Sequence, residues 1–149
     1  MIFAAIIAIA LQQSPTADVD APHGTFTFNI VDSGGNHIPA RLTFTDEDGN
    51  KHDMFPNPDA APTKLAVRTH VVYTLEGKGT ITVPVGSWDV MASHGIEWSI
   101  DTSHFDVKEG GVYSWDAELV HEIDTTGWIS GDFHLHTLTY SGHGDSNMN

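Results

Sequence analysis

The sequence predicts an all-β fold, an antiparallel β-sandwich, over residues 23–124. Three observations lead there. Apolar residues recur at every second position, which places them on one face of a strand. Clusters of Gly, Asn, Asp and Pro interrupt that pattern at intervals of roughly ten residues, the spacing of a strand plus a turn. Between Thr25 and Val120 no stretch carries the 3.6-residue period of an amphipathic helix.

In the first element Phe26, Phe28 and Ile30 alternate with Thr25, Thr27 and Asn29, the pattern of a half-buried strand. Asp32-Ser33-Gly34-Gly35-Asn36 is a turn, because Gly and Asn tolerate positive φ. Ala40, Leu42 and Phe44 resume the alternation, giving a hairpin or a pair that crosses between sheets. Asp46-Glu47-Asp48-Gly49-Asn50 closes this strand with an acidic turn. It is not an EF-hand loop, which needs Glu at its twelfth position, where this chain has Asn57. Pro56, Pro58 and Pro62 then predict irregular loop. A strand follows over His70 to Leu75, and Glu76-Gly77-Lys78-Gly79 turns the chain into Ile81, Val83 and Val85. Pro84-Val85-Gly86-Ser87 leads into Trp88, Val90 and Ala92. Phe105 and Val107, a Lys108-Glu109-Gly110-Gly111 turn, and Tyr113, Trp115, Ala117 and Leu119 complete the series. The expected architecture is Ig-like or prealbumin-like. Trp88, Trp98 and Trp115 are expected as core anchors or sheet-face residues. His23, His37, His52, His70, His94, His104 and His121 lack a strand pairing of histidines that suits a metal, and are read as surface or turn residues.

Composition narrows the function. Six Lys plus Arg face 20 Asp plus Glu, a formal net charge of -14. Such a chain repels phosphate backbones and anionic lipid headgroups, which argues against nucleic acid and acidic membrane surfaces as partners. With no cysteine there are neither disulfides nor thiolate metal sites. Ile2 to Leu11 is an apolar run of signal-peptide length ending in Ala8-Ile9-Ala10, an A-x-A cleavage pattern, although no Lys or Arg precedes it. Residues 1–22 are therefore expected to be a signal peptide and spacer, the protein secreted or periplasmic, with no stable membrane insertion after cleavage.

Beyond residue 124 the character changes. If Asp132 to Thr137 is a strand, His134 and His136 project from one face, about 6 to 7 Å apart along it. Two neutral imidazoles so placed can converge on one divalent ion. A chain with 10 His in 149 residues contains about 0.7 H-x-H pairs by chance, so the context must carry the inference. That context is the Gly131-Asp132 lead-in, Phe133 and Leu135 on the opposite face, and Ser141-Gly142-His143-Gly144-Asp145 beyond. His134, His136, His143 and Asp145 form a candidate ligand set within twelve residues.

These residues resemble the first motif of the PHP (polymerase and histidinol phosphatase) metallohydrolases, in particular the CehA/McbA-like group. In that group a β-sandwich resembling a carboxypeptidase regulatory domain often precedes an α/β barrel. Val83-Pro84-Val85-Gly86-Ser87-Trp88-Asp89-Val90 resembles the P-x-G-x-Y-x-V turn and strand of such sandwiches, with Trp88 where Tyr is usual. The resemblance implies that residues 125–149 hold the first strand of an incomplete PHP barrel. His134 and His136 would ligate metal at the strand's C-terminal end, with His143 or Asp145 as the next ligand. Leu138, Thr139 and Tyr140 separate Thr137 from Ser141 where many members have two residues, which leaves His143 and Asp145 open as alternatives.

A complete relative would hold two or three divalent ions (Zn, Mn or Fe) and hydrolyse a small-molecule substrate through a metal-bound hydroxide. This chain is expected to carry a partial site and to be inactive alone. Two alternatives remain. One is a stand-alone exported β-sandwich binding module without catalysis. The other is an amidohydrolase-superfamily fragment, whose usual I-D-x-H-x-H lead-in is interrupted here by Ser130-Gly131.

Overall fold

The structure, a computed structural model, describes residues 21–51, 54 and 65–129. Eight strands make up the described residues: β1 (His23–Asp32), β2 (Ala40–Thr45), β3 (Leu65–Val67), β4 (Val71–Thr74), β5 (Lys78–Pro84), β6 (Gly86–Ser93), β7 (Asp101–Val107) and β8 (Val112–Leu119). They form a three-stranded sheet, β5-β1-β8, packed on a five-stranded sheet, β3-β4-β2-β6-β7. The period-two pattern explains why. Phe26, Phe28 and Ile30 of β1 are buried, and Leu42 and Phe44 of β2 and Val90 and Ala92 of β6 meet them from the facing sheet. Phe26 sits at the centre, its ring 4.9 Å from that of Phe105 and 5.9 Å from that of Phe44, both edge-on. This is the offset that aromatic quadrupoles favour.

The sandwich agrees with the sequence expectation, and three details sharpen it. First, β1 and β2 lie in different sheets, so the chain crosses between layers after β1 instead of forming a hairpin. Second, β1 pairs with β8 in parallel, Thr25 opposite Val112 through Asp32 opposite Leu119, while every other strand pair is antiparallel. Third, the three-residue strand β3 escapes a periodicity argument, since Leu65-Ala66-Val67 is too short to display one. The proline-rich stretch with Pro56, Pro58 and Pro62 lies outside the described residues, as do residues 1–20 of the expected signal peptide and spacer.

The crossing from β5 to β6 takes place at Val85 alone, so two strands of opposite sheets meet at a corner. Trp88 closes it. Its indole Nε1–H donates to the Pro84 carbonyl at 2.9 Å, and its ring lies where a Cβ on Gly86 would stand 3.2 Å away. Gly86, at φ 154°, thus makes room for the tryptophan that ties the corner. Trp88 and Trp115 are buried, as expected of core anchors, Trp98 is half-buried against the core, and Trp128 is exposed.

The two acidic turns are built alike. In each, an Asp carboxylate oxygen accepts from the backbone N–H groups two and four residues on: Asp32 from Gly34 (2.9 Å) and Asn36 (2.8 Å), Asp46 from Asp48 (3.0 Å) and Asn50 (2.7 Å). Gly35 and Gly49, both at φ 78°, occupy the left-handed position. Asp46 therefore braces its own turn, as Asp32 does.

Candidate metal centre

On the outer face of the five-stranded sheet, polar residues alternate with the core positions of β6 and β7. Ser87 and Asp89 face outward between buried Trp88 and Val90, and His104 and Asp106 flank Phe105. The register sets Asp89 opposite His104 and Ser87 opposite Asp106, with Thr45 of β2 opposite Asp89 on the other side. Because β2 runs antiparallel to β6, the chain leaving Thr45 carries Glu47 toward the Ser87–Asp106 row. Three elements, the β2 turn, β6 and β7, thereby converge.

Glu47, His104 and Asp106 bring one ligand atom each to within 4.8 Å of one another, an arrangement that could hold a metal ion. His104 Nδ1 is 2.7 Å from Asp89 Oδ1. A carboxylate only accepts, so this nitrogen must be the donor. That directs Nε2 toward Ser87 Oγ at 3.1 Å and Asp106 Oδ1 at 3.6 Å. Ser87 donates its hydroxyl to Asp106 Oδ1 at 2.8 Å. The electrostatics follow from these contacts. The hydrogen bond to Asp89 raises the His104 pKa, assisted by the charges of Asp89 and Asp106 against some desolvation. The Ser87 hydrogen bond lowers that of Asp106, assisted by His104. The group is exposed, so its interactions work against water and salt.

A groove of about 580 Å³ adjoins His104, lined also by Thr43, Thr45, Asp89, Val90, Met91, Thr102 and Ser103. Thr43 is 6% exposed, and its hydroxyl has no hydrogen-bond partner among the described residues. Nearly all buried polar groups in folded proteins have such a partner.

The four residues singled out in the sequence, His134, His136, His143 and Asp145, lie outside the described residues. The cluster that the fold does assemble was not anticipated. A search for paired histidines passes over His104-Phe105-Asp106, although a histidine and a carboxylate at i and i+2 of a strand share a face as two histidines do. That H-x-D spacing was the available signal. Glu47 is contributed by a turn 57 positions earlier, and only the sheet order brings it near.

A second histidine group lies at the end from which the chain leaves the sandwich. Trp98 contacts the rings of His94 and His121 at centroid distances of 4.8 and 4.9 Å. Ser99 N–H donates to Val120 O at 2.8 Å and Glu122 N–H to Glu97 O at 2.9 Å, fixing the segment after β8 onto the loop between β6 and β7. Trp128 and Ile129, 83% and 98% exposed, come next, immediately before the H-x-H segment.

No family model matches the chain, and no curated protein matches it. Among solved structures it is similar to the Bacillus anthracis TIE protein, with 18% identity and a TM-score of 0.46, over 67% of this chain and 17% of that one. It is also similar to the phospholipase PlaB from Legionella pneumophila in complex with thio-NAD, with 12% identity and a TM-score of 0.45, over 78% of this chain and 30% of that one. The chain thus spans less than a third of either protein, and likeness at this level bears on neither family nor function.

Proposed function

We propose that this chain comprises the accessory β-sandwich and the opening metal-binding segment of an exported metal-dependent hydrolase, acting on a phosphoester, carbamate or related ester or amide bond. The observation that carries this reading is the run Gly131-Asp132-Phe133-His134-Leu135-His136-Thr137 followed by Ser141-Gly142-His143-Gly144-Asp145. Imidazoles at i and i+2 offer two nitrogen ligands to one ion, and His143 or Asp145 offers the next. A divalent ion there would lower the pKa of bound water and polarise the oxygen of the scissile group. The fold is in keeping with this role. All eight strands end by Leu119, and exposed apolar side chains as large as Trp128 and Ile129, set just before the motif, are of the kind that an adjoining domain covers.

Equilibrium dialysis of the purified chain against zinc or manganese tests the proposal. The chain should retain metal that the double variant His134→Ala, His136→Ala does not. Equal retention by the two proteins would exclude those histidines as ligands.

A second reading is favoured by a separate observation. Among the described residues, the core takes none beyond Leu119, and the sandwich carries a histidine–carboxylate cluster beside a groove of its own. On that reading the sandwich is a binding module in its own right. The two readings part in the same dialysis, since a stand-alone binding module would lose no metal when His134 and His136 are replaced, whereas the hydrolase segment would lose the share that those histidines hold.

A further inference from the structure

We propose that Glu47, His104 and Asp106 form a binding site for a divalent transition metal on the outer face of the five-stranded sheet, beside the groove that His104 also lines. The site lies about thirty positions before the H-x-H segment at its nearest residue, and its case is independent of the hydrolase reading.

Geometry is the first argument. A four-coordinate zinc ion with ligands at about 2.0 to 2.1 Å keeps neighbouring ligand atoms about 3.3 Å apart. His104 Nε2 and Asp106 Oδ1 already stand 3.6 Å apart, and no pair in the triad exceeds 4.8 Å. His104 and Asp106 are held on one rigid strand. Glu47, on a turn fixed by Asp46 and Gly49, has the three-torsion side chain that can close the remaining distance.

The second argument is the surroundings of the histidine. Asp89, outside the triad, accepts from Nδ1–H and so presents Nε2 as the coordinating atom. A carboxylate behind the ligating histidine is the usual companion of a protein-bound metal, fixing both tautomer and ring orientation. Ser87 does the same for Asp106 by donating to Oδ1.

The third argument concerns the fourth ligand. Three protein ligands leave one position of a tetrahedral ion open, as in sites that bind water or a small molecule. His104 belongs both to the triad and to the groove wall, so a molecule on the metal has open space beside it. The ligand set of one imidazole nitrogen and two carboxylate oxygens selects zinc or manganese over calcium and magnesium, which prefer all-oxygen shells.

The experiment is a zinc titration of the whole chain carrying His134→Ala and His136→Ala, followed by nitrogen-15 NMR of the histidine rings. Failure of the H-x-H reading cannot then be mistaken for failure of this one. One equivalent of zinc should shift His104 Nε2 and leave His37, an exposed histidine bonded to Asn29, in place. Asp106→Asn and Glu47→Gln should each weaken zinc about tenfold or more, and Asp89→Asn about tenfold to a hundredfold. All three variants keep side-chain volume, and unchanged amide spectra establish that they fold. Equal amounts of magnesium should not displace the zinc. The proposal is overturned if His104 does not shift, if His37 shifts in parallel, or if the carboxylate variants bind zinc as tightly as the parent.

Discussion

At the scale of single residues, the fold depends on positions where only one side chain fits. Gly77 is the sharpest case. It stands at φ 68°, and a Cβ there would lie 2.5 Å from the Ile30 carbonyl oxygen and 2.7 Å from that of Ile38. Backbone, unlike a flexible side chain, cannot move aside cheaply. Gly77→Ala should therefore destabilise the protein by about 1 to 3 kcal/mol, read as a lower urea midpoint at unchanged slope. The same replacement at Gly35, where nothing lies within 4 Å, should cost less.

Asp32 supplies a pH test. Its carboxyl is held below the ordinary value of 3.8, first by the Asn36 amide and then by the Asn36 side chain. A depressed folded pKa means that the contribution is present above 3.8 and is lost as pH falls through the folded value. Urea unfolding should show Asp32→Ala less stable than the parent at neutral pH, with the gap narrowing at pH about 2. A gap independent of pH would show that the charged carboxylate is not what the turn uses.

At the scale of elements, the corner between β5 and β6 is the most exacting construction. Trp88→Phe keeps an aromatic ring in the core but removes the N–H that binds Pro84. The expected cost is about 1 to 3 kcal/mol, measurable as a lower melting temperature, while the β2–β6 and β6–β7 pairings persist in the amide spectrum. This corner also marks the limit of what the sequence made legible. The alternation of Phe26, Phe28 and Ile30, and of Tyr113, Trp115, Ala117 and Leu119, identified strands because period two is a local property. That Val85 switches sheets, or that β1 meets β8 in parallel, is settled by long-range packing, which leaves no local trace. The metal-type cluster was hidden for the same reason. His104 and Asp106 are neighbours in sequence, but Asp89 and Glu47 reach them only through strand order.

At the scale of the whole molecule, the described core is closed by residues that precede, in the sequence, the segment that carries the proposed chemistry. Among the described residues, no core residue follows Leu119, and Glu122, Ile123 and Thr125 bond the chain to Glu97. A chain ending after Ile129 should therefore unfold cooperatively, with a melting temperature within about 4 °C of the parent. The central claim concerns what lies beyond. X-ray absorption at the zinc edge, recorded on the zinc-loaded chain with His104→Ala to silence the sandwich cluster, examines it most directly. The account predicts a first shell containing two imidazole nitrogens at about 2.0 to 2.1 Å, lost when His134 and His136 are replaced by Ala. A shell of oxygen alone, or an imidazole signature that survives those replacements, would contradict it.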